Sequence, residues 1–486
     1  MLKEVPCLLR RKKLVFACSS YLLAVLCGSH PSLGWLLFYN QYSLFLWWLA
    51  YASREIYDGL ARLILDPEKV QRILSLTHLM LAMTSVYTLT SEDFSADCRT
   101  ILNRIYHHIA GQPTDGHASL LGGQMGYALF EAYYHRHFGV KDDGRIWERV
   151  SSSLNAIQEG KLIHSFAGGI AGVAWGFLHL FNEGLLQDDE IDPQSIVEDL
   201  DEGLFESAML LLADGNFDYL HGALGVCLYF LERTPSPKIT SYIDQIVEQL
   251  SLVAVRFPSG SITWEFDDFG RRGSSSPSLY NLGLSHGTAS IVAILTLLYE
   301  KGHAPARCKE LIAGALRWMW NVRNKSAQSV FPSVIQANAP DQESRLAWCY
   351  GDLGIANTFL LAGQKLQNEF WVEIAEQTIT RAAARRGRDV AMKDAALCHG
   401  TLGAAYLFGK FAEAFPQHLL EPTETYWLSK TFDYVQPTES SDVFLSYNGE
   451  RYESNLSLLD GEASIGMALL TYLGAPRAWE RFLLLS

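Results

Sequence analysis

Cys349, in Trp348-Cys349-Tyr350-Gly351, and the adjacent pair Cys398-His399, followed by Gly400, are the residues of this chain whose types best suit chemistry. Two thiols and an imidazole form a ligand set for Zn²⁺. Three protein ligands leave a fourth tetrahedral position for substrate, the catalytic rather than the structural pattern. Cysteines far apart in sequence prove little alone, because free Cys is often a small buried hydrophobe. Their surroundings carry the argument: each opens the same step, a Gly, two residues and a second Gly, as Gly351-Asp352-Leu353-Gly354 and Gly400-Thr401-Leu402-Gly403.

The step recurs upstream as Gly123-Gln124-Met125-Gly126, Gly169-Ile170-Ala171-Gly172 and Gly222-Ala223-Leu224-Gly225. Two more copies carry Ser in the second slot, Gly287-Thr288-Ala289-Ser290 and Gly461-Glu462-Ala463-Ser464, which makes seven in all. First glycines lie from 46 residues apart (123 to 169) to 65 apart (222 to 287), room for one helical hairpin per repeat.

Each step runs into a stretch such as Val173 to Leu178, Ile291 to Leu295 or Ala404 to Phe408, apolar on nearly every side and therefore an inside helix. Between steps lie amphipathic stretches, Tyr242 to Leu250 and Cys308 to Trp318 among them, whose apolar residues recur at helical spacing and suit an outer ring. The expected fold is all-α, an α/α toroid of seven hairpin repeats with inner and outer rings. Most of the glycines serve capping and close packing. Their functional consequence is geometric: seven equivalent loops meet at one end, so Cys349, Cys398, His399 and His286 become neighbours.

Length alone suggests about three domains, but a repeat fold can exceed that as one body. A hydrophobic content of 49% supports a large core, and a net charge of -14 with no basic cluster beyond Arg10 to Lys13 argues against a nucleic-acid partner. Eight scattered Cys do not make a disulfide scaffold, and two reduced thiolates favour the cytoplasm. Cys7, Cys18, Cys27, Cys98, Cys227 and Cys308 lack the Gly-flanked setting and read as ordinary thiols. Residues 1–60 form an apolar, aromatic segment distinct from a toroid over 61–486. Leu14 to Cys27 resembles a signal-peptide core behind Arg10 to Lys13, and an aromatic-rich stretch from Leu33 to Ala52 follows. A cleaved signal or a membrane association through residues 14–52, helices packed on the toroid, and an upstream start outside the mature protein all remain open.

The seven steps, with Trp-Cys-Tyr-Gly, Cys-His-Gly and Ser-His-Gly (Ser285-His286-Gly287) in order, resemble the LanC family over roughly residues 85 to 486. Members are lanthionine synthetase cyclases that close thioether rings in lanthipeptides, with LanC-like proteins as eukaryotic relatives. The resemblance implies an α/α toroid holding one catalytic Zn²⁺, with thiolates at Cys349 and Cys398 and an imidazole at His399. It further implies an acid/base histidine at His286, a carboxylate at Asp218, and site positions at Arg345 and Tyr350. The implied partner is a dehydrated precursor peptide, in company with a lanthipeptide dehydratase and a transporter.

Chemistry agrees with that ligand set. A thiol with a pKa of about 8.5 is mostly protonated at neutral pH, and Zn²⁺ deprotonates it outright. Two thiolates and an imidazole neutralise the metal, and a third thiolate makes the site anionic and keeps the substrate sulfur nucleophilic. In the implied reaction that sulfur attacks the β-carbon of a dehydroalanine or dehydrobutyrine, charge develops on the enolate oxygen, and a proton must reach the α-carbon. His286 is the natural donor. Asp218 suits orienting His286 or serving as a helix cap, and Arg345 suits steadying the enolate. His221, three residues after Asp218, is within reach of the same pocket. The Gly/Ser-rich loop from Phe257 to Asn281 reads as a cavity cover, a leader-peptide contact or a plain surface loop.

Three rival readings stand beside this one. A toroidal glycoside hydrolase would use paired carboxylates, Asp460 with Glu462 or Asp267 with Asp268, and leaves the two cysteines and His399 unexplained. A closer rival keeps the metal but adds glutathione to dehydroamino acids in proteins. A third is a non-catalytic, zinc-stabilised peptide-binding toroid, which the presence of His286 and Asp218 disfavours.

Overall fold

In the computed structural model, residues 92–266, 279–336, 341–387 and 390–486 are described. Residues 14–52 and the 60/61 boundary lie outside them, as do Asp267 and Asp268. The helices in chain order are α1 (Glu92–Ala110), α2 (Gln124–Phe138), α3 (Arg145–Gln158), α4 (Ile170–Asn182), the short α5 (Pro193–Ile196), α6 (Leu200–Ala213), α7 (Gly225–Glu232) and α8 (Pro237–Leu252). After them come α9 (Thr288–Glu300), α10 (Pro305–Asn321), α11 (Asp352–Lys365), α12 (Glu369–Ala382), α13 (Thr401–Ala414), α14 (Glu421–Phe432) and α15 (Glu462–Tyr472).

Every Gly step launches a helix of the inner ring: α2, α4, α7, α9, α11, α13 and α15. The apolar runs are buried all round, as expected for helices with no solvent face; in α9 every residue from Thr288 to Leu298 is buried. Outer helices bury a single stripe. In α8 it is Ile239, Ile243, Ile246, Val247 and Leu250, and in α12 it is Trp371, Ile374, Ala375, Thr378, Ile379 and Ala382. Consecutive outer and inner helices pack as hairpins, and α15 packs against α1 and α2, which closes the ring.

The loops before the steps are stitched around the ring by backbone hydrogen bonds. Leu121 donates to the carbonyl of Ala167 (3.0 Å), Ala167 to Leu220 (2.8 Å), Ser285 to Cys349 (3.2 Å) and Cys349 to Cys398 (3.3 Å). Leu458 of the seventh repeat donates to Leu121 of the first at 2.8 Å, so the last and first repeats are joined in the same way.

This close approach dictates the glycines. At Gly403 a Cβ would collide with the carbonyl of Leu397, and Gly351 has a φ of +100°, a conformation that only glycine adopts without strain. Ser290 and Ser464 fit the second slot because their hydroxyls donate back to the carbonyls of Gly287 and Gly461, each at 2.7 Å. Ser464 Oγ also accepts the Leu397 N–H at 3.4 Å.

Three antiparallel strand pairs decorate the loops: the hairpin of β1 (Val255–Arg256) with β2 (Ile262–Thr263), β3 (Leu279–Asn281) with β4 (Val334–Gln336) across two intervening helices, and the hairpin of β5 (Leu445–Tyr447) with β6 (Tyr452–Ser454). The loop from Phe257 to Asn281 thus begins beside one hairpin and ends in β3, paired across to β4 in the register Asn281↔Val334. A 3₁₀ turn, Ala478–Leu483, fills the middle of the ring. Trp348 Nε1–H donates to the Leu483 carbonyl (2.8 Å), Asn357 to Leu484 (3.2 Å) and Tyr219 to Phe482 (3.5 Å).

Candidate metal centre

The two residues before each first glycine face the centre of the ring. In repeats three to seven these pairs are Leu220-His221, Ser285-His286, Cys349-Tyr350, Cys398-His399 and Leu459-Asp460, and all ten line one cavity of about 550 Å³. In the first two repeats the residues next to the glycine are Gly122 and Gly168, which project no side chain. Ser333, Val334, Arg345 and Trp348 complete the lining.

Cys349, Cys398 and His399 each bring one donor atom to a common point, all within 4.8 Å of one another. Both cysteines are buried. A hydrogen bond from Cys398, aided by His399, holds the Cys349 thiol well below its usual range against the effect of burial. The same bond and burial push Cys398 far up, and the bond to Cys349 raises His399. A divalent cation relieves both conditions by taking both sulfurs as thiolates, so buried position, convergence and donor chemistry all fit Zn²⁺.

In the repeat next to that of Cys349, His286 Nδ1 donates to Asp218 Oδ2 at 2.6 Å. Asp218 Oδ1 accepts the backbone N–H groups of Leu220 (2.7 Å) and His221 (2.9 Å), which fixes the carboxylate behind the imidazole. The result is a histidine of set tautomer whose Nε2 is left to the cavity. His221 lies nearly parallel to His286, with ring centroids 5.7 Å apart, and burial lowers its pKa. Tyr350 Oη accepts from Asn281 Nδ2 at 3.1 Å, and burial raises its pKa, so it remains a phenol.

All seven sequence-predicted residues therefore gather at one place: three as potential ligands, His286, Arg345 and Tyr350 on the wall, and Asp218 behind His286. His221 joins them on the wall. Of the carboxylates considered for a sugar hydrolase, Glu462 is buried in a structural role. Its Oε1 accepts the N–H groups of Val443 (2.6 Å) and Phe444 (3.1 Å), and its Oε2 pairs with His108 at 3.0 Å.

Asp460 turns up beside the Cys349–Cys398–His399 group, with Oδ1 3.5 Å from His399 Nδ1. Its register, immediately before Gly461 as His399 is before Gly400, is the signal that places it there. Trp348, held by the 3₁₀ turn, is likewise a wall residue that periodicity does not reveal.

Comparison with known proteins gives a consistent assignment. The nisin biosynthesis protein NisC of Lactococcus lactis subsp. lactis is 24% identical over 302 residues, 54% of this chain and 67% of that protein. The solved structure of nisin cyclase superposes with a TM-score of 0.61 at 18% identity, covering 81% of this chain and 98% of the other, a likeness of fold. The sequence model of the lanthionine synthetase C-like proteins matches residues 114–484. The chain belongs to the lanthionine synthetase C-like family.

Proposed function

We propose that this protein is a zinc-dependent lanthipeptide cyclase. It adds cysteine thiols of a dehydrated precursor peptide to dehydroalanine or dehydrobutyrine and so forms (methyl)lanthionine thioether rings. The observation that carries this reading is the pairing, in one cavity, of a Cys₂His ligand set with an Asp-oriented histidine. A Zn²⁺ held by Cys349, Cys398 and His399 would lower the pKa of a substrate thiol bound in the fourth position.

The remaining work falls to the chain's own groups. His286 Nε2, with Nδ1–H committed to Asp218, is the atom free to accept the thiol proton. As the carbon–sulfur bond forms at the β-carbon, the π-electrons move toward the substrate carbonyl. Arg345 and the Tyr350 hydroxyl, both on the cavity wall, are the donors for that developing charge. The proton held on Nε2 then passes to the α-carbon. The net change is addition of S–H across a C=C bond, and His286 and Asp218 return to their starting state. The substrate is supplied by a dehydratase acting on Ser and Thr, and the product is passed to a transporter.

Elemental analysis of the purified wild type and the Cys349→Ala/Cys398→Ala double variant tests the metal. About one zinc per chain is expected in the first and none in the second. Mass spectrometry after thiol alkylation of a dehydrated peptide then tests ring closure. Zinc-loaded enzyme that leaves every peptide thiol open to alkylation refutes the cyclase reading.

A further inference from the structure

Asp460 is an anomaly of the cavity. Its backbone is held on both sides: its N–H donates to Ser457 Oγ at 3.1 Å and its carbonyl accepts from Ser446 Oγ at 2.5 Å. Its Oδ1 is buried and has no hydrogen-bond partner in the protein. A carboxylate oxygen withdrawn from water and left unpaired is unfavourable, so such a position points to a neighbour that supplies a proton or charge. The nearest ring nitrogen is His399 Nδ1, 3.5 Å from that same oxygen. The rest of the side chain opens to the cavity, so the group straddles the ligand set and the substrate space.

The repeat explains how it comes to be there. Asp460 and His399 occupy the same register position in adjacent repeats, next to Gly461 and Gly400. Ser464 Oγ, one turn into α15, takes the backbone N–H of Leu397 ahead of Cys398. The seventh repeat thus grips the sixth from both sides of the ligand pair.

From this geometry we infer that Asp460 is a positioning residue of the metal centre: its Oδ1 takes the Nδ1–H of His399, fixes the tautomer and rotation of that ring, and leaves Nε2 as the nitrogen offered to the metal. This rests on the zinc reading above. A histidine that donates its second nitrogen to a carboxylate is a more basic and better-oriented ligand, and loss of such a partner typically weakens metal binding about 10–100-fold.

The test is zinc affinity of the full chain, measured by competition with a chromophoric chelator, for the wild type, Asp460→Asn, Asp460→Glu and Ser207→Ala. Asp460→Asn should bind zinc about 10–100-fold more weakly, with its thermal melt in the metal-free form unchanged, and Asp460→Glu should recover part of the loss. Ser207→Ala, which removes a hydroxyl on α6 bonded within its own helix to the Gly203 carbonyl, should bind as the wild type does. Co²⁺ in place of zinc separates positioning from direct ligation: the wild type and Asp460→Asn should show d–d bands of the same intensity. Equal zinc affinity in the wild type and Asp460→Asn overturns the inference, and so does a band intensity that changes with the substitution, which would make Asp460 a ligand. A wild type that binds no zinc at all instead defeats the underlying metal reading.

Discussion

At the scale of single residues, the proposed reaction assigns binding the metal and moving the proton to separate groups. His286 lies on the cavity wall outside the Cys349–Cys398–His399 donor group and touches Asp218, so His286→Asn should keep its zinc while losing about 10²–10⁴-fold in cyclisation rate. Alkylation-coupled mass spectrometry on metal-replete protein reads this directly, and full activity in that variant removes His286 from the mechanism. Asp218→Asn should be milder, since the amide still accepts the Leu220 and His221 N–H groups while no longer enforcing the tautomer. His221 offers a spectroscopic check. Burial lowers its pKa first, and the neighbouring His286 lowers it further against the opposing pull of Asp218. Its imidazole should titrate below the ordinary histidine value in an NMR pH series and move upward in His286→Asn.

At the scale of elements, the first residue of an inner helix acts as a clamp on the loop before it. Asp352, opening α11, accepts the Val330 and Phe331 N–H groups at 3.0 and 2.9 Å and is backed by Arg385 at 3.4 Å. Glu462, opening α15, does the same for Val443 and Phe444 and is backed by His108. The first backing cation is permanent and the second titratable. His108 is held above its ordinary pKa by its hydrogen bond to Glu462, with burial opposing. A raised folded-state value means that its contribution is full below the unfolded histidine pKa of about 6.5 and is lost as pH rises through the folded one. Wild-type Tm should therefore fall between pH 6 and 8 more than that of His108→Gln. Parallel Tm curves would show that the pair contributes no pH-dependent stability.

The seven inner helices are legible in the sequence because the crossing of each helix start over the preceding carbonyl admits little beyond Gly or Ser, as at Gly403 and Ser464. The ligand trio is legible for the same reason, since each member sits in a fixed register to a Gly. The clamps are not, because nothing local says that Glu462 faces a backbone turn 18 or 19 residues upstream and a histidine on α1. Asp460 carries the right register, but a carboxylate there fits several chemistries until its neighbours are known.

At the scale of the whole molecule, a ring of hairpins leaves a hole, and the segment after α15 fills it. Trp479, Phe482, Leu483, Leu484 and Leu485 are all buried. Glu480 is buried against Tyr406 and Lys410, and Arg481 reaches Glu183 at 2.8 Å and Glu232 at 3.0 Å. The segment so touches inner helices on opposite sides of the ring and, through the Trp348 indole, the backbone immediately before Cys349. No periodicity marks it, since its partners are scattered over five repeats. At about 1.5–3 kcal/mol for each large apolar side chain, removing it forfeits on the order of 10 kcal/mol, as much as the whole stability of a typical domain. Deletion of residues 478–486 should therefore abolish cooperative unfolding in a far-UV circular dichroism melt, with zinc binding lost alongside. Trp348→Phe, which removes the bond to Leu483 and leaves a small void where the buried indole was, should cost about 2–3 kcal/mol and retain zinc. A truncated chain that melts within a few degrees of the full one would show instead that the ring closes without its plug, and that the stitching from Leu458 to Leu121 is sufficient to hold the cavity open around its ligands.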